Sequence, residues 1–148
     1  GLSATLPNLQ EVAGWLGATL YSTQFRPVPL VEYTKVGRHI YNLQGSLVRS
    51  FSTDSNPADP DNVVSLCEET LKEGEQVLVF CSSKKFCNNC ALMIAKNLNF
   101  PVPDHIVKQR HTLLDRLSKS LAGIDPDLRQ SLLSGVAFHH AGLTEEER

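Results

Sequence analysis

No run of the sequence supplies the roughly 18 to 20 unbroken apolar residues that a membrane-crossing helix requires, because Pro, Lys, Glu, Asn or Gly interrupts every hydrophobic stretch. No membrane partner is expected. Neither sign of charge dominates: 14 Lys and Arg stand against 16 Asp and Glu, for a formal net charge of −2. A free-standing nucleic-acid-binding domain is usually basic along at least one face, so any such contact here has to be local. Aromatic residues are few, at 7%, and 20% of the 148 residues are charged against 41% apolar. That balance excludes a disordered or collagen-like chain and suits a packed protein. The sequence also lacks G-x-x-x-x-G-K-[ST] to cradle phosphates and an Asp-Glu pair to hold magnesium, which excludes ATP hydrolysis by this chain unaided. Gly1-Leu2-Ser3-Ala4-Thr5 has neither a starting Met nor a basic leader, and Thr144 with Glu147 announces a helix cap just before the last residue. More chain is expected on both sides.

What is present reads as α/β. Leu9, Val12, Ala13 and Leu16 recur at helical spacing behind Asn8 and Glu11, and Gly17 ends the pattern. Thr19 to Phe25 is rich in strand formers, but Arg26-Pro27-Val28-Pro29-Leu30 forces an extended path, as in an edge strand or a crossing linker. Val31–Val36 and His39–Leu43 flank Gly37-Arg38 as a hairpin, and 51–60 reads as a surface loop. A helix from about Asp61 to Gly74 precedes Gln76-Val77-Leu78-Val79-Phe80-Cys81, an apolar run that predicts a strand buried on both faces. Ser82-Ser83 then cap a helix whose Cys87, Cys90, Ala91, Ile94 and Leu98 share one face. Two further helices are predicted within 101–134, the second opened by Asp125-Pro126. Val136-Ala137-Phe138-His139 predicts a second buried strand, and the two strands together indicate a parallel sheet.

Three groups of residues could carry chemistry. Cys81, Cys87 and Cys90 spell C-x5-C-x2-C, which invites a zinc reading, but no His lies near them in sequence to complete a tetrahedral set. The plainer reading is four reduced thiols, Cys67 included, most of them buried. Ser82 and Ser83 stand where a strand ends and a helix begins, so their hydroxyls and the free N–H groups form either a phosphate site or a simple cap, with Lys84 and Lys85 adding charge. The doublet His139-His140 ends the other strand, without a carboxylate or thiol at useful spacing for a metal or a general base. No metal site is expected.

Ser3-Ala4-Thr5, Arg26-Pro27-Val28-Pro29-Leu30, Val77-Leu78-Val79-Phe80-Cys81 with Ser82-Ser83-Lys84-Lys85, and Val136-Ala137-Phe138-His139-His140-Ala141-Gly142-Leu143-Thr144 occur in one order over nearly the whole chain. That series resembles the Ski2-like group of superfamily-two helicases. The resemblance is weaker over 51–60 and 101–131, and Leu2 and Ser82 depart from the usual Met and Pro. Leu6-Pro7-Asn8-Leu9, Lys35-Val36-Gly37 and the Gly135–Thr144 run narrow it to the DNA-repair members of that group.

The resemblance implies residues 1–25 as the end of a first RecA-like motor domain and 26–148 as the N-terminal half of a second, with a helical insertion at about 101–134. It implies ATP and Mg in the parent protein, bound outside this chain, and also that the arginine-bearing motif of the second domain is missing here. Single-stranded DNA is the implied partner, along with the remaining motor domains, and the nucleus is the implied location. Ser3 and Thr5 inherit the role of coupling ATP hydrolysis to translocation. Ser82, Ser83, Lys84, His140, Gly142, Thr144 and Arg148 inherit contacts to the nucleic-acid backbone. An RNA-unwinding relative and a non-catalytic α/β nucleic-acid-binding module are the alternatives.

Overall fold

The computed structural model describes residues 6–23, 25–51, 57–119 and 123–147. The chain divides into two compact units, Gly1–Tyr33 and Thr34–Arg148. In the first, helix α1 (Leu9–Leu16) forms where the helical spacing predicts it. Its end is set by Gly17, whose φ of 60° is the left-handed conformation that glycine adopts without steric cost, and Ala18 N–H closes the turn on the Ala13 carbonyl at 2.9 Å. Asn8 Nδ2 reaches Glu11 Oε2 at 3.4 Å, but the Asn8 side chain accepts no backbone hydrogen bond. Among the described residues of 19–25 there is no strand; the path is extended, with Tyr21 and Phe25 exposed.

The expected hairpin is present. Strands β1 (Tyr33–Val36) and β2 (His39–Asn42) flank Gly37-Arg38, and Gly37 has a φ of 55°. A third strand, β3 (Leu47–Ser50), pairs antiparallel with β2 and completes the order β1-β2-β3. The turn between them is organised by Asn42, whose Oδ1 accepts from Gln44 N–H at 3.1 Å and Ser46 N–H at 2.9 Å. Arg49 on β3 forks onto the Glu69 carboxylate of α2 (Val63–Lys72), which ties the sheet to the helices. Both side chains are partly exposed, so this pair is worth at most about 1 kcal/mol.

Helix α2 is capped from a residue that the sequence reading leaves inside a surface loop. Asp59, 2% exposed, accepts from Val63 N–H at 2.8 Å and Val64 N–H at 2.9 Å. The carboxylate satisfies two orphan donors of the first turn, so its burial is compensated by charge-assisted hydrogen bonds. Helix α3 (Lys84–Asn97) starts at Ser83, whose Oγ accepts from Phe86 N–H at 3.2 Å. Helices α4 (Asp104–Ser118) and α5 (Pro126–Leu133) occupy the region of the expected insertion, and Asp125 caps α5 through Asp127 N–H at 2.8 Å and Leu128 N–H at 3.1 Å. Arg110 on α4 donates to the Leu133 carbonyl at 2.9 Å, satisfying one of the last acceptors of α5.

The core is built around α3. On one side Val64 and Cys67 of α2 meet Cys90 and Ile94. On the other, Leu128 of α5, Phe138 and Leu143 enclose Ala91.

The two expected buried strands correct the sequence reading. Segments 76–81 and 136–140 are extended but carry no strand ladder, and among the described residues the sheet is the antiparallel one alone. Nor is 76–81 buried on both faces: Leu78 and Phe80 are 78% and 88% exposed, against 41% and 38% for Val77 and Val79. The alternation is that of a strand with one covered face. A ladder needs a partner to exchange N–H and C=O bonds, and among the described residues neither segment is paired in one. An open slot of about 910 Å³ runs between the two segments, floored by Cys90, Ala91 and Ile94 of α3.

Candidate nucleic-acid interface

The end of segment 76–81 turns through Ser82 and Ser83 into α3, and the end of segment 136–140 turns at Ala141-Gly142. These two turns come together. A Cβ placed on Gly142 would sit 3.6 Å from Lys84 Cδ and 3.1 Å from both Cε1 and Nδ1 of His140. Lys84, in the first turn of α3, therefore lies against the His140–Gly142 turn. The N-terminus of a 14-residue helix supplies unpaired N–H groups and a partial positive charge at the same place.

His140 is held from three directions. Its ring stacks on Phe138 with centroids 5.3 Å apart, Gly142 N–H donates to Nδ1 at 3.1 Å, and Nε2 lies 2.7 Å from Asn88 Oδ1. Because Nδ1 accepts from Gly142, the ring hydrogen belongs on Nε2, where it donates to Asn88. Asn88 in turn donates from Nδ2 to Asp127 Oδ2 at 3.0 Å. The chain of bonds runs from the turn through α3 to the cap region of α5. Asn88 and Asp127 are absent from the sequence-based set. Asn88 could have been found, because it is one helical turn beyond Lys84 and so shares its face.

Thr144 is held by the Glu147 carboxylate. Its N–H and Oγ1 both donate to Glu147 Oε2, at 2.8 and 2.9 Å, while Glu147 Oε1 accepts from Asp125 N–H. One carboxylate thus holds the last turn onto the start of α5. Residues 145–147 form a turn. The N–H groups of Asp125 and Thr144 hold the Glu147 carboxyl below its ordinary range. This contribution to stability is complete above the ordinary Glu pKa and is lost as pH falls through the lowered value. Between about pH 5 and pH 3 the urea midpoint of the wild-type chain should therefore fall more steeply than that of Glu147→Gln. Superimposable pH profiles would remove the carboxylate from this role.

Of the sequence-predicted site residues, Ser82, Ser83, Lys84, His140, Gly142 and Thr144 lie on the two adjoining turns, with Ser83 and Thr144 also engaged as caps. Ser3, Thr5 and Arg148 lie outside the described residues. Among the described residues no group of three or more His, Cys, Asp or Glu side chains is arranged to hold a metal ion. Nor is any helix of the described residues long and apolar enough to cross a membrane.

No family model matches the chain. Individual relatives do, over its whole length. It is 47% identical to DNA polymerase theta of Mus musculus over 163 residues, an alignment covering 100% of the chain and 6% of that protein. It is 36% identical to Helicase POLQ-like of Homo sapiens, covering 100% of the chain and 14% of the relative. With ATP-dependent DNA helicase Hel308 of Methanocella arvoryzae it shares 34% identity, covering 99% of the chain and 19% of the relative. The chain thus spans less than a fifth of the length of each of these relatives. These matches make the chain similar, over its whole length, to a segment of proteins named as helicases and as DNA polymerase theta. The chain belongs to the helicase family of DNA polymerase theta and the POLQ-like proteins.

Proposed function

We propose that the chain is the junction of two RecA-like motor domains in an ATP-dependent DNA helicase of the polymerase theta type, acting in double-strand break end joining in the nucleus. Residues 1–25 end the first domain and 26–148 begin the second, in which segments 76–81 and 136–140 become strands of a parallel sheet. ATP and Mg are bound by parts of the parent protein beyond this chain. Single-stranded DNA runs along the turns formed by Ser82, Ser83 and Lys84 and by His140, Gly142 and Thr144, with Arg148 following.

The observation that supports this reading is the meeting of Lys84 with the His140–Gly142 turn. A sugar-phosphate backbone crossing that point would find a full positive charge, a helix N-terminus and hydroxyl donors within one contact surface. Such contacts position the strand without reading its bases. Lys84→Ala in the parent helicase should weaken binding of unrelated single strands to a similar degree. It should also flatten the dependence of log affinity on log salt by about 0.7, the loss of one phosphate contact. Fluorescence anisotropy with labelled oligonucleotides over a salt series measures both. An unchanged slope would leave Lys84 as a solvated helix-start residue and withdraw the surface from DNA binding.

A further inference from the structure

Three of the four cysteines meet where segment 76–81 joins α3. Cys81 closes the segment, Cys87 lies in the first turn of α3, and Cys90 is one turn further on the same face. Cys81 packs against the core cluster that holds Cys90 and Cys67, and Cys87 against the neighbouring one. Cys81 is close enough to both Cys87 and Cys90 for the thiols to interact, and all four cysteines line the same slot. Their access to solvent differs: Cys67 and Cys90 are buried, while Cys81 and Cys87 are half-exposed. The nearby backbone of His139 favours the Cys87 thiolate, an effect smaller than that of burial.

We infer that Cys81 and Cys87 are a dithiol modification site, which peroxide converts to a disulfide joining the end of segment 76–81 to the first turn of α3. The Cys87 thiolate attacks one peroxide oxygen, the O–O bond breaks, and hydroxide leaves to be protonated to water. The Cys81 thiolate then attacks the sulfenic sulfur, forming the S–S bond and expelling the second oxygen as water. Two thiols lose two electrons and two protons, and one hydrogen peroxide becomes two waters. Cys90 is the poorer partner, because burial and the neighbouring thiols push it up to about 11 and leave little thiolate. Burial raises Cys87 as well, so the reaction is slow at neutral pH and faster in mild alkali. The bond would span Ser82 and Ser83 and fix the start of α3 to the segment before it, whatever the adjoining surface binds.

The test is a non-reducing tryptic map of the intact protein after dilute hydrogen peroxide, with free thiols alkylated before digestion. Trypsin cuts after Lys84 and Lys85, so Cys81 leaves on one peptide and Cys87 with Cys90 on another. The expected result is a dithiothreitol-sensitive cross-link between these peptides, formed at a rate independent of protein concentration. It should persist in Cys90→Ser and disappear in Cys87→Ser. Separately alkylated Cys81 and Cys87 after peroxide would overturn the inference. So would a cross-link that survives Cys87→Ser and is lost in Cys90→Ser. Circular dichroism of both serine variants shows whether each is folded, and if Cys87→Ser is not, fragmentation of the wild-type cross-link identifies the sulfur joined to Cys81.

Discussion

Leu128→Ala is expected to destabilise the unit formed by residues 34–148 by about 2–5 kcal/mol, the cost of a cavity where a core leucine has been truncated. Leu128 is 2% exposed and is enclosed by Ala91, Phe138 and Leu143. The loss is a large fraction of the roughly 5–15 kcal/mol by which domains are stable, so the variant should be largely unfolded at temperatures the wild type tolerates. Leu133, also on α5 but 45% exposed, provides the comparison. Leu133→Ala should cost less than about 1 kcal/mol. Urea unfolding followed by circular dichroism measures both. Equal losses at the two positions would mean that α5 does not pack through Leu128.

Ser3→Ala combined with Thr5→Ala, introduced into the parent helicase, should lower strand unwinding by about tenfold or more while ATP turnover falls less than about twofold. The argument belongs to the proposed motor reading, because both residues lie outside the described part of the chain. Short hydroxyl side chains can exchange partners between backbone and carboxylate groups with little movement, which suits a link between a hydrolysis site and a bound strand. Two lost hydrogen bonds of about 1 kcal/mol each suffice for that fall if they act only in the translocating state. Parallel assays of ATP turnover and duplex unwinding decide it. Equal loss of both activities, or no loss of either, would remove the coupling role.

The helices were legible because their signals are local. Asn8 to Gly17, the face shared by Cys90, Ala91 and Ile94, and the Asp125-Pro126 start each need only neighbouring residues, and each appears in the structure. The Gly37-Arg38 hairpin was legible for the same reason. Strand β3 was not anticipated, since Leu47–Ser50 is exposed throughout and has no apolar alternation to announce it. Asp59 was hidden by its surroundings of Ser, Asn and Pro, which indicate a loop, part of it outside the described residues, without saying which side chain turns back. Asp59 turns back to cap α2, and only the path of the chain reveals that. Segments 76–81 and 136–140 show the opposite failure. Their apolar composition describes a burial that requires other strands, and a composition cannot say whether those strands are at hand.

From its residues alone the chain determined its class, its run of helices and the two segment ends where charge and hydroxyls accumulate. Periodicity, caps and motif order are properties of short stretches, and they survive without knowledge of what packs on what. The tertiary structure decided which of these stretches meet. Lys84 and Gly142 are far apart in sequence yet adjoin, His140 is fixed by Asn88 and Asp127, and Glu147 reaches back to Asp125. It also brought Cys81, Cys87 and Cys90 together along one slot. Each of these contacts depends on α3 lying between α2 and α5, an arrangement set by burying Ile94 with Val64 on one side and Ala91 with Leu128 and Phe138 on the other, and burial is non-directional and blind to sequence separation.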